Sequence, residues 1–348
     1  MITEYSNNMP QWDDIVRSFQ DRDIYWLRGY TKAFETHGDG VPSLLFYEDE
    51  GVKGINVVMK RDIAEDKHFQ GLIEPGKYFD FSTAYGYGGW LFEGNTENMH
   101  SFERDLNSWY AENNMVSGFY RFHPVIDNAL LHKENGLELV QLGKTVAIKL
   151  DDEQKIWERY SSKNRGHIRK AEKEGVVVEQ SDSKEAMEIF KRIYKTTMNN
   201  DDADDYYYFG DAFYDSIRTD LDGQYSIFIA YYDTIPISAA IMLFENRFIT
   251  YHLSGQLVEY RKYAGTSMIL HEAAKWGCQR GYEWLHLGGG LGAKEGPLYD
   301  FKKSFYKKGE DKSFYIGKKV ANRQFYEALL DMRKLDYSTS FFPEYRAT

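Results

Sequence analysis

The chain has 348 residues, is 42% hydrophobic and 16% aromatic, and carries a formal net charge of −11. That length suits about two domains, and the acidic balance argues against a protein that coats nucleic acid, DNA included, while leaving room for a local basic site. The single cysteine, Cys278, excludes an internal disulfide. No run approaches the roughly 18 apolar residues of a membrane span. The first residues, MITEYSNNMPQWDD, are polar and acidic and lack the apolar stretch of a signal peptide, so a soluble cytoplasmic protein is expected.

In chain order, Ser43–Tyr47 (SLLFY) reads as a strand, Asp49-Glu50-Gly51 as a turn, and Val52–Met59 as the returning strand. Phe79–Ser82 ends another strand before YGYGG at Tyr85–Gly89. Asn98–Asn113 carries Phe102, Leu106 and Trp109 at helical spacing. A boundary is expected near Leu150–Glu153, where Asp151-Asp152-Glu153 suits a helix N-terminus. Ser183–Met198 repeats the helical pattern with Ala186, Ile189, Phe190 and Ile193. Three strands follow at Tyr225–Tyr232, Ile235–Phe244 and Phe248–Leu253, separated by Asp233-Thr234 and Glu245-Asn246-Arg247. Thr266–Arg280 is helical, with Gly281 as its stop signal. Val320–Leu335 is a last helix expected to pack back on the first lobe, and Tyr337–Thr348 an irregular tail. The strand–polar turn–strand layout of the first half echoes in the second. The fold class is therefore α/β (α+β), with lobes at 1–150 and 151–319, each a mixed sheet flanked by helices.

Five segments have the composition of a binding site. The densest is WLHLGGGLGAKEGPLYDFKKSF, from Trp284 to Phe305. A buried strand runs into Gly288, Gly289 and Gly290, where main chain can approach a ligand closely. Lys302 and Lys303 then bring positive charge to that opening, an arrangement suited to an acyl or phosphate group. Gly288–Ala293 formally fits G-x-G-x-x-A, but Gly296-Pro297 interrupts the helix that a dinucleotide fingerprint requires. In RYSSKNRGHIRKAEKEG, Arg165, Arg169 and Lys173 share one helical face, with Lys163 close by. That face suits phosphates, as on a CoA or a tRNA backbone, although a solvated helix would carry the same residues. Tyr85 and Tyr87 suit a groove wall or a tight turn at a sheet edge. Lys262-x-x-Gly265-x-Ser267 comes near the Q/R-x-x-G-x-G/A pattern with which acetyl-CoA N-acetyltransferases cradle a pyrophosphate at a helix N-terminus. NNDDADDYYY at Asn199–Tyr208 fits no EF-hand spacing, and its tyrosines suit a cleft wall. Zinc spacings, HExxH, G-x-S-x-G and the Walker loop do not occur, so no bound metal or permanent cofactor is expected.

Taken together, SKNRGHIRKAEKEGV, YSIFIAYYDTIPISAAIML, ILHEAAKWGCQRGYEW and LHLGGG…LYDFKKSF resemble the FemABX family and BioF2-like acetyltransferase domains. The resemblance covers Arg159–Lys318 and extends loosely to DFSTAYGYGG. It implies a tandem GNAT fold. It also implies a reaction in which an amino acid moves from aminoacyl-tRNA to an amine of a cell-wall precursor. The family's FK motif falls on Phe301-Lys302, whose lysine would stabilise charge developing on the acyl carbonyl. Its cleft tyrosines would fall on Tyr251 and on Tyr207 or Tyr208.

The function expected is direct N-acyl or aminoacyl transfer, without an acyl-enzyme, to an amine of a cell-envelope (peptidoglycan) or surface-polysaccharide precursor. The co-substrate is aminoacyl-tRNA or acyl-CoA, and Lys262, Gly265 and Ser267 matter only for the latter. An acetyl-CoA-dependent N-acetyltransferase of a small amine or amino sugar, and a catalytically silent ligand-binding protein on the same fold, are the alternatives.

Overall fold

The computed structural model describes residues 1–49, 51–97, 99–132, 136–334 and 339–347. Glu50 of the expected turn, Asn98 and Leu335 of the expected helices, and Tyr337, Ser338 and Thr348 of the expected tail lie outside the described residues. The chain forms two compact units: Met1–Leu142 with Phe314–Thr348 (unit 1), and Gly143–Ser313 (unit 2).

Unit 1 opens with β1 (Ile2–Ser6), α1 (Trp12–Arg17), α2 (Arg28–His37), β2 (Val41–Asp49), β3 (Val52–Asp62), β4 (Phe79–Ser82), β5 (Leu91–Gly94), α3 (His100–Glu112) and β6 (Met115–Arg121). The strand β7 (Glu138–Lys149) leads into unit 2. There follow α4 (Glu153–Arg159), α5 (Ser162–Lys173), β8 (Val177–Ser181), α6 (Lys184–Asn200), α7 (Asp211–Asp220), β9 (Tyr225–Tyr232), β10 (Ile235–Glu245), β11 (Phe248–Gln256), α8 (Gly265–Gln279), β12 (Trp284–Gly288) and α9 (Pro297–Lys303). Then β13 (Lys312–Val320) and α10 (Arg323–Arg333) return the chain to unit 1.

The two units use one pairing pattern. In unit 1, β1, β2, β3 and β4 form an antiparallel run, β4 pairs parallel with β6, and β6 pairs antiparallel with β13. In unit 2, β8, β9, β10 and β11 form the antiparallel run, β11 pairs parallel with β12, and β12 pairs antiparallel with β7. Each unit is thus a mixed sheet with flanking helices, as the echo in the sequence implies. The sequence draws the lobes at 1–150 and 151–319; the compact units divide at 142/143 and 313/314. Pairing explains the difference. β7 already lies in unit 2's sheet over residues 146–149, whereas β13 lies in unit 1's sheet over 316–320.

Local chemistry sets the element ends. Asp152 caps α4 by accepting from Lys155 N–H, and Ser161 and Ser183 do the same for α5 and α6. Gly281, at φ +80°, ends α8 in a Schellman arrangement, with Tyr282 N–H bonded to Gly277 O and Gly281 N–H to Cys278 O. The β9–β10 hairpin turns on Asp233 and Thr234, both at positive φ as a two-residue hairpin turn requires. Burial along β9 and β10 is continuous rather than alternating, as for strands covered on both faces. Helices α6 and α8 both pack on them. The core of unit 2 gathers Ile148, Ile249, Ile269, Leu285, Leu287 and Phe305, so β12 and α9 are anchored at the points that flank the glycines.

The C-terminal segment is firmly tied. Tyr345 and Phe342 are buried in a second core of unit 1 with Val116, Tyr326 and Leu329. Asp80, fully buried in β4, accepts from Arg61 Nε (2.7 Å), Arg346 Nε (2.6 Å) and the Tyr345 hydroxyl (2.8 Å). The expected irregular tail is therefore an integral part of unit 1. Among the described residues, no helix is long and apolar enough to cross a membrane.

Candidate functional site

β12 is a short strand with Leu285, His286 and Leu287 buried between β11 and β7. Its register against β7 slips between His286 and Gly288, and Gly288 turns the chain at φ +74°. The next two glycines are required by close approach. A Cβ on Gly289 would lie 2.9 Å from the Lys144 carbonyl oxygen, and one on Gly290 would lie 2.1 Å from that of Lys294. The connection then runs over 291–296 to Pro297, which opens α9 at a position where its missing N–H is no loss.

α9 carries the central residue. Lys302 is 9% exposed, and its Nζ donates to the Gly289 carbonyl at 2.7 Å. Among the described residues no carboxylate pairs with it. Burial disfavours the ammonium and brings its pKa from 10.5 down to about 8. One of its three N–H donors is engaged, and two remain for a ligand oxygen. Phe301 and Phe305 stack edge-on at 5.4 Å between ring centroids, Phe305 within the core and Phe301 against it. Lys303 is engaged elsewhere. It pairs with Asp311 and donates to the Gly309 carbonyl at 2.7 Å. The sequence brings both lysines to the glycine opening; the structure brings Lys302, because neighbours on a helix point about 100° apart.

The other expected residues lie at separate places. Tyr251, half-buried on β11, donates to Ser254 Oγ at 2.5 Å, and burial raises its phenol to about 12. Tyr207 is half-buried on the short turn Asp205–Tyr207, while Tyr208 is exposed. Gly265 begins α8 and lets it pack close on β10, since a Cβ there would meet Ile237 and Ser238 at 3.0 and 3.1 Å. Ser267 is buried, and Lys262 lies 4.9 Å from the Tyr263 ring centroid. On α5, Lys163 and Arg169 are exposed, with the Arg169 guanidinium 5.2 Å from the Trp157 ring. Arg165 departs from the exposed face expected of it. It donates to the Glu158 and Tyr160 carbonyls at 3.3 and 2.5 Å, securing the end of α4. Tyr85 and Tyr87 are half-buried in unit 1.

Sequence reasoning missed the Gly289 carbonyl as the partner of Lys302, because a main-chain acceptor leaves no mark on residue identity. It also missed Tyr299, buried one turn before Lys302, with its Cβ 3.1 Å from where a Gly290 Cβ would stand. Gly290→Ala is expected to lower turnover by roughly 10²-fold while the protein stays folded, because a shift of about 1 Å in a reactive geometry has that effect. Wild-type turnover in a folded variant would refute this.

Residues 159–308 match the acetyltransferase (GNAT) domain. Comparison with curated proteins returns no match. Among solved structures, FemX superposes with a TM-score of 0.70 at 15% identity, over 94% of this chain and 99% of its own. A conserved protein from Bacteroides thetaiotaomicron gives 0.59 at 11% identity, over 92% and 100% of the two chains. The C-terminal domain of a protein from Agrobacterium fabrum, assigned as a lysylphosphatidylglycerol synthetase, gives 0.55 at 12%, over 92% and 94%. At these identities the likeness is one of fold. Residues 159–308 form an acetyltransferase (GNAT) domain, and the chain is an acyltransferase carried on the fold of FemX.

Proposed function

We propose that this protein transfers an acyl or aminoacyl group to an amine of a cell-envelope precursor. The single observation that carries the reading is a buried lysine, without an acidic partner among the described residues, held at a glycine turn by a main-chain carbonyl. In the reaction the acceptor amine attacks the ester or thioester carbonyl, and the oxygen becomes an oxyanion. The free N–H donors of Lys302 stabilise that oxygen more in the transition state than in the ground state. Collapse expels the ribose hydroxyl of a tRNA or the thiol of CoA, and the amine loses its proton. No covalent enzyme intermediate is needed.

The resemblance to FemABX enzymes and the fold shared with FemX support an aminoacyl donor and a peptidoglycan precursor as acceptor, in the cytoplasm. The GNAT domain and the segment Lys262–Ser267 support acyl-CoA. Binding and turnover with acetyl-CoA and with charged tRNA separate the two donors. Failure of both donors with every amine acceptor offered would remove the transferase reading.

The exposed part of α5 is the proposed contact for donor phosphates. Lys163→Gln with Arg169→Gln is expected to weaken donor binding about tenfold at low salt, with the difference shrinking as ionic strength rises. Arg165 is left in place because its loss would free the α4 carbonyls. Donor affinity measured between 50 and 300 mM salt decides this; equal affinity of variant and wild type throughout would mark a merely solvated face.

A further inference from the structure

A second polar constellation lies within unit 1, around the YGYGG segment. Gly86 has φ +95°, and a Cβ there would lie 2.4 Å from the Tyr25 ring. Gly89 has φ +84°, and a Cβ there would lie 2.6 Å from the Phe122 ring. These two glycines let the segment lie against neighbouring rings. Arg121, the last residue of β6, is held at several points beside the segment. Its main-chain N–H donates to Thr83 Oγ1 at 3.1 Å, and its Nε donates to the Gly86 carbonyl at 2.8 Å. Its guanidinium lies 5.3 Å from the centroid of the Phe314 ring, and Tyr87 meets the same ring edge-on at 5.2 Å.

What the arginine lacks is an acid. Elsewhere in unit 1, Arg61 and Arg346 each pair with Asp80. Among the described residues no carboxylate pairs with Arg121, in a chain with 54 acidic residues against 43 Lys and Arg. Among the described residues nothing hydrogen-bonds its two terminal nitrogens, and the group is half-buried rather than free in solvent. A guanidinium oriented by Nε and a ring face presents its remaining N–H groups as a pre-set fork. That fork fits the two oxygens of a carboxylate or phosphate. The side chain that only braces a loop would need the Nε bond alone.

We propose that unit 1 binds an oxyanion, a carboxylate or phosphate group of a ligand, through the terminal nitrogens of Arg121 beside Tyr87. The inference rests on unit 1 alone and does not use the transferase reading, so binding is measured without turnover. Inorganic pyrophosphate and N-acetylalanine, titrated calorimetrically into the full chain at low ionic strength, separate the two sources of the oxyanion. At least one is expected to bind, and Arg121→Gln to bind it at least tenfold more weakly. Arg121→Lys is expected to fall between, because an ammonium keeps the charge without the fork. Peptide mass analysis of wild-type protein treated with phenylglyoxal gives a readout independent of any variant: the bound probe is expected to slow modification of Arg121. The proposal is overturned if the wild type binds neither probe, if folded Arg121→Gln binds as the wild type does, or if a saturating probe leaves Arg121 modification unchanged.

Discussion

Replacing Lys302 by methionine is expected to lower kcat by roughly 10²–10³ while making the protein more stable. The two effects share one cause. Lys302 is 9% exposed, with a single carbonyl as its partner, so its charge is poorly solvated in the native state. That is the condition under which a cation acts strongly on an oxyanion, and also the condition that disfavours the folded protein. The drop from 10.5 to about 8 corresponds to on the order of 3 kcal/mol at pH 7. Methionine removes that cost and loses a hydrogen bond of about 1 kcal/mol. A net gain of about 2 kcal/mol follows, read by urea unfolding.

The pH dependence has a definite sign. The unfolded chain binds the lysine proton more tightly than the native one, so stability rises with pH between about 8 and 10.5 and Lys302→Met removes that rise. If the ammonium charge is what acts, kcat falls as pH passes about 8. If the neutral amine acted as a base, kcat would rise there instead. Lys303→Met, which breaks the pair with Asp311, is expected to change kcat much less. Equal small effects of the two substitutions, or a Lys302→Met protein with wild-type turnover, would end the assignment.

Asp80→Asn is expected to destabilise unit 1 by about 3–5 kcal/mol, the scale for removing one partner of a buried ion pair. Burial alone would push the Asp80 carboxyl up. Arg61 and Arg346, with the hydrogen bonds from Arg346 and Tyr345, bring it below the ordinary carboxylate value. Asparagine keeps the shape but leaves Arg61 without its counter-charge and Arg346 with Asp66 alone. A depressed native pKa contributes stability that is present above the unfolded value of about 4 and is lost as pH falls through the native one. The wild type should therefore lose stability on acidification more steeply than the variant. Because a chain of two units need not unfold in one step, amide exchange on the strands of unit 1 is the suitable measurement. A variant whose unit 1 exchanges at wild-type rates would show that the network contributes nothing.

How much of this was readable beforehand depends on the range of the interaction. β-branched and aromatic enrichment, turn residues and caps act over a few positions, so β2, β3, β9, β10 and the end of α8 at Gly281 stand where the sequence puts them. The position of Lys302 beside the glycine turn was also legible, because strand, glycines and lysine fall within one short segment. Spacing alone did not separate Lys302 from Lys303; the family resemblance pointed to Lys302, and the physical reason, Asp311 holding Lys303 and a carbonyl holding Lys302, lay outside the local pattern. Arg165 looked like part of a phosphate face because helical spacing says nothing of the α4 carbonyls beneath it. The Arg346–Asp80 pair links residues 266 apart in sequence, and no local pattern announces it. The pairing of β13 with β6 was likewise beyond reach, since the two strands, Lys312–Val320 and Met115–Arg121, lie far apart in the chain and no local pattern joins them.

That pairing has a consequence for how the protein is made. Unit 2 is one uninterrupted stretch, and β7, its outermost strand beside β12, is synthesised before the rest of it. Unit 2 can therefore complete its sheet as the chain emerges. Unit 1 cannot, although its first strands appear earliest. Until β13 leaves the ribosome, β6 has an open edge and the core beneath Tyr345 and Phe342 lacks a wall. The half synthesised first is thus the half that finishes last, and through that interval its unpaired edge is the surface most exposed to wrong partners.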